Sequence, residues 1–158
     1  FIDRDKPALS TMREIFSVLD DGQIFIFPEG TRNKGNENEM QELTTGLALF
    51  AAKSGAPVVP VLVYRRPKIF HKNYLYIGKP IDIIKNKGRL PSASDAEAIT
   101  LRYAYEFARL RVEFNDYVEN KRWKKKNRLG EGEVPPALAA FDAEHTVPAL
   151  CGIEENKE

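Results

Sequence analysis

A chain of 158 residues with 42% apolar and 30% charged positions has room for one globular domain and is too apolar to be wholly disordered. No run nears the roughly 18 uncharged apolar residues of a transmembrane helix. No secretory pattern opens the chain, and Cys151 stands alone, so an intrachain disulfide is excluded and a reducing compartment is the simpler setting. The net charge of +1 conceals an asymmetry: Leu129 to Glu158 holds seven acidic residues and one basic, leaving +7 on the first 128 residues. That sign suits phosphate, acidic lipid or nucleic acid.

Pro7 to Leu19 predicts a helix, with Leu9, Met12, Ile15, Phe16 and Leu19 at helical spacing and Asp20-Asp21-Gly22 ending it. Gln23 to Phe27 predicts a strand buried on both faces, and Pro28 to Glu42 a loop. Leu43 to Ser54 resumes helical character, with Gly55 as its stop. Pro57 to Tyr64 predicts a second buried strand with Pro60 at a bulge or near its start, and two shorter strands follow at Tyr74–Ile77 and Ile81–Ile83. Ser94 and Glu97 form a capping box ahead of a long amphipathic helix whose stripe is Ile99, Tyr103, Phe107, Leu110, Phe114 and Tyr117. The stretch after Arg128 predicts a loosely held extension. The order of elements is an α/β pattern, read as a mixed, mostly parallel central sheet flanked by helices.

Phe27-Pro28-Glu29-Gly30-Thr31-Arg32 follows directly on the first strand, where α/β proteins commonly place their ligands. Gly30 lets backbone approach a ligand, Thr31 offers a hydroxyl, and Arg32 offers a forked donor suited to phosphate oxygens. Glu29 can orient Arg32 or accept from a substrate hydroxyl. The same residues also suit an ordinary turn with a surface salt bridge.

This hexapeptide resembles the third signature block of the glycerolipid acyltransferases, the 1-acylglycerol-3-phosphate acyltransferase family. Phe1-Ile2-Asp3-Arg4 resembles the second block and Val58-Val59-Pro60-Val61 the fourth, while Gly46 falls where the family has a glycine. The resemblance covers roughly Phe1 to Pro80. It implies transfer of a fatty acyl group from acyl-CoA or acyl carrier protein to a hydroxyl of 1-acylglycerol 3-phosphate or a related glycerol phosphate, in phospholipid biosynthesis. Arg4 and Arg32 would then bind the acceptor's phosphate, with Glu29, Gly30 and Thr31 shaping the pocket and the Pro60 strand supporting the donor side. No bound cofactor or metal is implied, because the thioester is itself the activated species.

The family's first block, a His and an Asp separated by four residues that serve as general base and its orienting partner, precedes the second block. The chain's two histidines, His71 and His145, are followed five residues on by Tyr76 and Leu150, so neither heads that motif. The chain opens on Phe1 inside a block. Together these features predict a partial acyltransferase domain over 1–128, inactive alone, and an acidic flexible tail over 129–158. The expected location is the cytoplasmic face of a membrane, peripheral or anchored through a missing amino-terminal segment. A non-catalytic phosphate- or lipid-binding module on the same scaffold is the alternative.

Lys121, Trp123, Lys124, Lys125 and Lys126 follow the long helix and fit either a solvated, dipole-complementing terminus or an anchor on an anionic membrane. Arg65, Arg66, Lys68, Lys72 and Lys79 form a second basic cluster, facing donor phosphates or simply solvated. Nucleic acid is disfavoured as a partner, since one tryptophan interrupts the basic run and no zinc, P-loop or RNA-recognition spacing is present.

Overall fold

The computed structural model describes residues 9–30, 35, 40–84 and 88–150; Arg4, Thr31, Arg32 and Cys151 lie outside them. Helix α1 spans Leu9–Asp21 and α2 spans Gly46–Ser54. Phe16 and Phe50 join the two edge to face, with ring centroids 5.8 Å apart. Gly55 caps α2 in the left-handed region, at φ 72°, donating its N–H to Ala51 O. The helix starts three residues later than its apolar pattern suggests. Thr44 gives both its N–H and its hydroxyl to Pro28 O, at 2.8 and 3.1 Å, which ties the preceding residues to a turn instead.

Strands β1 (Val61–Val63) and β2 (Leu75–Ile77) pair antiparallel in the register Val61↔Ile77, Leu62↔Tyr76, Val63↔Leu75. An isolated bridge, Val58↔Ile81, continues the ladder and is all that forms of the strand expected at Ile81–Ile83. The α/β character stands, but the sheet among the described residues is this antiparallel pair. Nor is β1 buried on both faces. Leu62 and Tyr76 face the core, while Val61, Val63, Leu75 and Ile77 share an exposed face. Gln23–Phe27 joins no ladder among the described residues. Ile26 packs on the core, yet Phe25 and Phe27 are 89% and 85% exposed, so this segment too is buried on one side only.

Helix α3, Ala93–Glu119, is about 40 Å long at 1.5 Å per residue and organises the core. Ile99, Tyr103 and Phe107 enter one cluster with Leu47, Ala48, Ala51 and Ala52 of α2, whose small side chains allow close approach. Phe114 and Val118 enter a second with Leu62, flanked by Tyr64, Tyr74 and Tyr76. Val118 takes the buried place expected for Tyr117, which is exposed.

The helix also begins earlier than Ser94. Ser92 is the N-cap: its hydroxyl accepts from Asp95 N at 3.1 Å, and Asp95 accepts from Ser92 N at 3.3 Å. Both Ser-x-x-acid patterns fit a capping box, and the one directly after Pro91 adds two residues of helix. Ser92→Ala should therefore cost about 1 kcal/mol of stability in urea unfolding. Ser94→Ala should cost less than half of that; the reverse order would assign the cap to Ser94.

After Arg128 the expected loose extension contains α4, Pro136–Glu144, docked on α3. Arg109 grips Asp142 with two bonds of 2.8 and 3.0 Å, Tyr105 packs on Phe141, and Leu138 and Leu150 are buried. Pro136 supplies the preset φ of a first helical turn, and alanines continue it.

Candidate functional site

The Pro-Glu-Gly segment forms a tight turn, closed by Gly30 N–H donating to Phe27 O at 3.0 Å. Gly30 sits at φ 67°, and a Cβ there would stand 3.0 Å from Thr44 Cγ2. Backbone conformation and space both call for glycine at this position. With Thr44 bonded to Pro28 O, the turn is fixed against the approach to α2. Glu29 is half-buried beside it.

Sequence reading missed a third participant. Arg111 of α3 donates Nη1–H to Val63 O, at the carboxyl end of β1, at 2.8 Å. Its Nε is buried without a hydrogen-bond partner, and so is Oδ1 of Asn115, one helical turn further on. Burial pulls the Arg111 guanidinium below its ordinary pKa, and the nearby Glu29 carboxylate opposes that shift. Arg111 thus ties the middle of α3 to the end of β1, within electrostatic range of the carboxylate in the turn after Gln23–Phe27. The signal was legible in principle. Arg111 lies four residues after Phe107 and three before Phe114, on the core-facing stripe, and a polar residue on such a stripe is informative.

This arrangement brings together a carboxylate, a desolvated guanidinium with a spare donor, and an amide with a spare acceptor. In chemistry the donor suits an anion and the acceptor a hydroxyl, but both atoms are buried, so a ligand reaches them only if the surrounding side chains move. Of the residues expected to bind substrate, Glu29 lies within electrostatic range of Arg111 and Gly30 closes the turn against Thr44; Arg4, Thr31 and Arg32 lie outside the described residues. His71 is exposed in the β1–β2 loop, and His145 stacks on Phe141 at 4.2 Å beside α4. Among the described residues no group of three His, Cys, Asp or Glu side chains could hold a metal ion. A shallow cleft of about 290 Å³ lies between Lys79–Ile81 and the Glu106–Glu113 stretch of α3, and neither Glu29 nor Gly30 lines it.

The two basic clusters rearrange on folding. Lys79 sits past the far end of β2, so it separates from Arg65, Arg66, Lys68 and Lys72 in the β1–β2 loop. At the end of α3 the chain turns back through Lys121, at φ 50°, with Arg122 N–H bonded to Tyr117 O and Lys121 N–H to Val118 O. These are the two bonds of a Schellman turn, here with lysine in place of glycine. Arg122 is drawn onto Asp116 at 2.8 and 3.1 Å, which holds that carboxyl below the usual carboxylate range with help from Asn120. Trp123 stacks on Tyr74 at 5.6 Å and leaves Lys121, Lys124, Lys125 and Lys126 exposed.

Residues 1–64 match the protein-family model described as Acyltransferase. Over 97 residues the chain is 30% identical to a 1-acyl-sn-glycerol-3-phosphate acyltransferase of Borreliella burgdorferi, an alignment covering 54% of this chain and 38% of that protein. The chain thus spans well under half the length of that relative. No solved structure matches it significantly.

Proposed function

We propose, from the match of residues 1–64 to the acyltransferase family model, that the Pro28–Arg32 segment, together with Arg4 and Arg111, binds the phosphate of a glycerol phosphate acceptor, with 1-acylglycerol 3-phosphate the acceptor that fits the relative's name. The acceptor's hydroxyl oxygen bonds to the acyl carbon of an acyl-CoA or acyl carrier protein thioester. The hydroxyl proton passes to a base, the carbon–sulfur bond breaks, and the departing thiolate takes that proton from the base to leave as the thiol. Glu29, Gly30 and Thr31 shape the acceptor pocket, and the Pro60 strand supports the donor side.

The observation that carries this reading is the desolvated Arg111, bonded to Val63 O, with its Nε unpartnered and Glu29 of the Pro-Glu-Gly turn within electrostatic range. Charge-assisted bonds are strongest where water is thin, and an unsatisfied buried donor costs about 1–3 kcal/mol that an anion would recover. In the same reading Gln23–Phe27 and β1 are neighbours in a larger, mostly parallel sheet. Their support is alternation: Ile24 and Ile26 are half-buried, whereas Phe25, Phe27, Val61 and Val63 are exposed.

Neither His71 nor His145 is followed by an Asp five residues on, and in this reading residues 1–158 by themselves bind the acceptor and transfer nothing. Titrating glycerol 3-phosphate into the full chain should give saturable binding of roughly millimolar Kd, about −4 kcal/mol. Glu29→Ala and Arg32→Ala should each weaken it about tenfold, or ~1.4 kcal/mol. Mixing the chain with acyl-CoA and acceptor should yield no ester. Absence of saturable binding rejects the phosphate site, and ester formation abolished by Glu29→Ala rejects the binding-only reading.

A further inference from the structure

The loop joining β1 to β2 holds two apolar side chains out in water. Ile69 is 84% exposed and Phe70 101% exposed, and Phe70 adopts φ 65°, an unfavourable left-handed conformation for a bulky residue. The loop is nonetheless braced from within. Asn73 donates Nδ2–H to Lys68 O and His71 O, at 3.1 and 3.3 Å, and its Oδ1 accepts from Lys68 N–H at 3.0 Å. The strained tip is therefore held in place with its apolar pair presented outward.

Scattered exposed hydrophobic residues are ordinary; the setting of this pair is not. Arg65, Arg66, Lys68 and Lys72 flank it within one exposed loop. The stack of Trp123 on Tyr74 brings the end of α3, with the exposed Lys121, Lys124, Lys125 and Lys126, to the base of this loop. Tyr64 bonds Glu119 at 2.9 Å and Arg65 approaches it at 3.7 Å, so that acidic side chain is already engaged by the loop.

We propose that this end of the molecule docks on an anionic lipid bilayer, with Ile69 and Phe70 entering the headgroup–acyl boundary and the two lysine- and arginine-bearing segments meeting lipid phosphates. Nucleic acid would engage the cations but leave the aliphatic Ile69 in water; a surface with phosphates above hydrocarbon satisfies both parts. The inference stands on this surface and not on acyl transfer.

Sedimentation of the full chain with vesicles of phosphatidylglycerol and phosphatidylcholine should show binding that phosphatidylcholine alone does not support and that salt weakens. Ile69→Ser/Phe70→Ser should lower the partition coefficient about tenfold or more, and each of Lys124→Ser and Lys125→Ser about fivefold. Both tip side chains are exposed, so the double variant should fold as the parent does. In a Trp123→Phe background, Phe70→Trp should shift its emission to the blue on anionic vesicles and be quenched by brominated acyl chains. Unshifted emission, or equal vesicle binding by the tip double variant, overturns the proposal. So does capture by a single-stranded oligonucleotide or an acidic protein that needs Ile69 and Phe70 while vesicles bind nothing. Neither readout involves ester formation, so failure here leaves the acceptor-site reading intact.

Discussion

Replacing Ile99 by alanine is expected to remove about 3 kcal/mol of stability, against less than ~0.5 kcal/mol for Leu101→Ala two residues along the same helix. Ile99 is 1% exposed and Leu101 61% exposed. The first loses buried methyl groups and leaves a cavity in the cluster shared with α2; the second gives up little that water did not already touch. Domains carry only about 5–15 kcal/mol in total, so the first change takes a large share. The readout is the urea midpoint, with an unchanged slope confirming that the denatured state is not what moved. A loss below ~1 kcal/mol for Ile99→Ala would mean that α3 does not pack on α2 as described.

Helix α3 also shows which parts of the fold the sequence could yield. Its stripe was readable because apolar residues at steps of three and four leave few alternatives over 27 residues. The reading slipped by one residue at Tyr117, where steps of three and four from Phe114 reach Tyr117 and Val118 respectively. The return of the chain through Lys121 decides between them: Trp123 lies 6.0 Å from Tyr117 on the outer side, and Val118 goes in. At the other end, two overlapping Ser-x-x-acid patterns compete and pattern alone cannot choose. Strands form within Pro57–Tyr64 and Tyr74–Ile77 as expected, but the expectation of burial on both faces erred for a different reason. An unbroken apolar run such as Val58–Tyr64 can signal burial on both faces, but it reads identically when one face has no neighbour among the described residues. Helix α4 was missed because Pro135-Pro136 and few large apolar residues suggest a loose extension, whereas Pro at the first turn followed by alanines is a helix start. In the site, the turn was legible through Pro28 and Gly30, since local chemistry specifies local geometry. Arg111 was legible only as a polar residue on the core-facing stripe; its role was not, because that depends on Val63 and Glu29, which are 48 and 82 positions away in the chain.

Arg111→Ala is expected to weaken glycerol 3-phosphate binding by about 30-fold, equivalent to ~2 kcal/mol, the scale for removing one partner of a desolvated charge pair. The substitution also deletes the bond to Val63 O, so weaker binding could arise from a shifted β1 instead of a lost cation. Arg111→Gln separates the two effects. A neutral amide can still donate to the strand carbonyl but offers no charge to a phosphate, so it should retain most of the thermal stability and lose most of the binding. Arg111→Lys keeps the charge and loses the fork, and should fall between them. Glu29 supplies a further check. If its carboxylate and Arg111 serve one site, Glu29→Ala and Arg111→Ala should be non-additive in binding, with a coupling above ~0.5 kcal/mol. Additive losses, or an Arg111→Gln variant that binds as tightly as the parent, would leave Arg111 as a brace between α3 and β1 and return the phosphate to Arg4 and Arg32 alone.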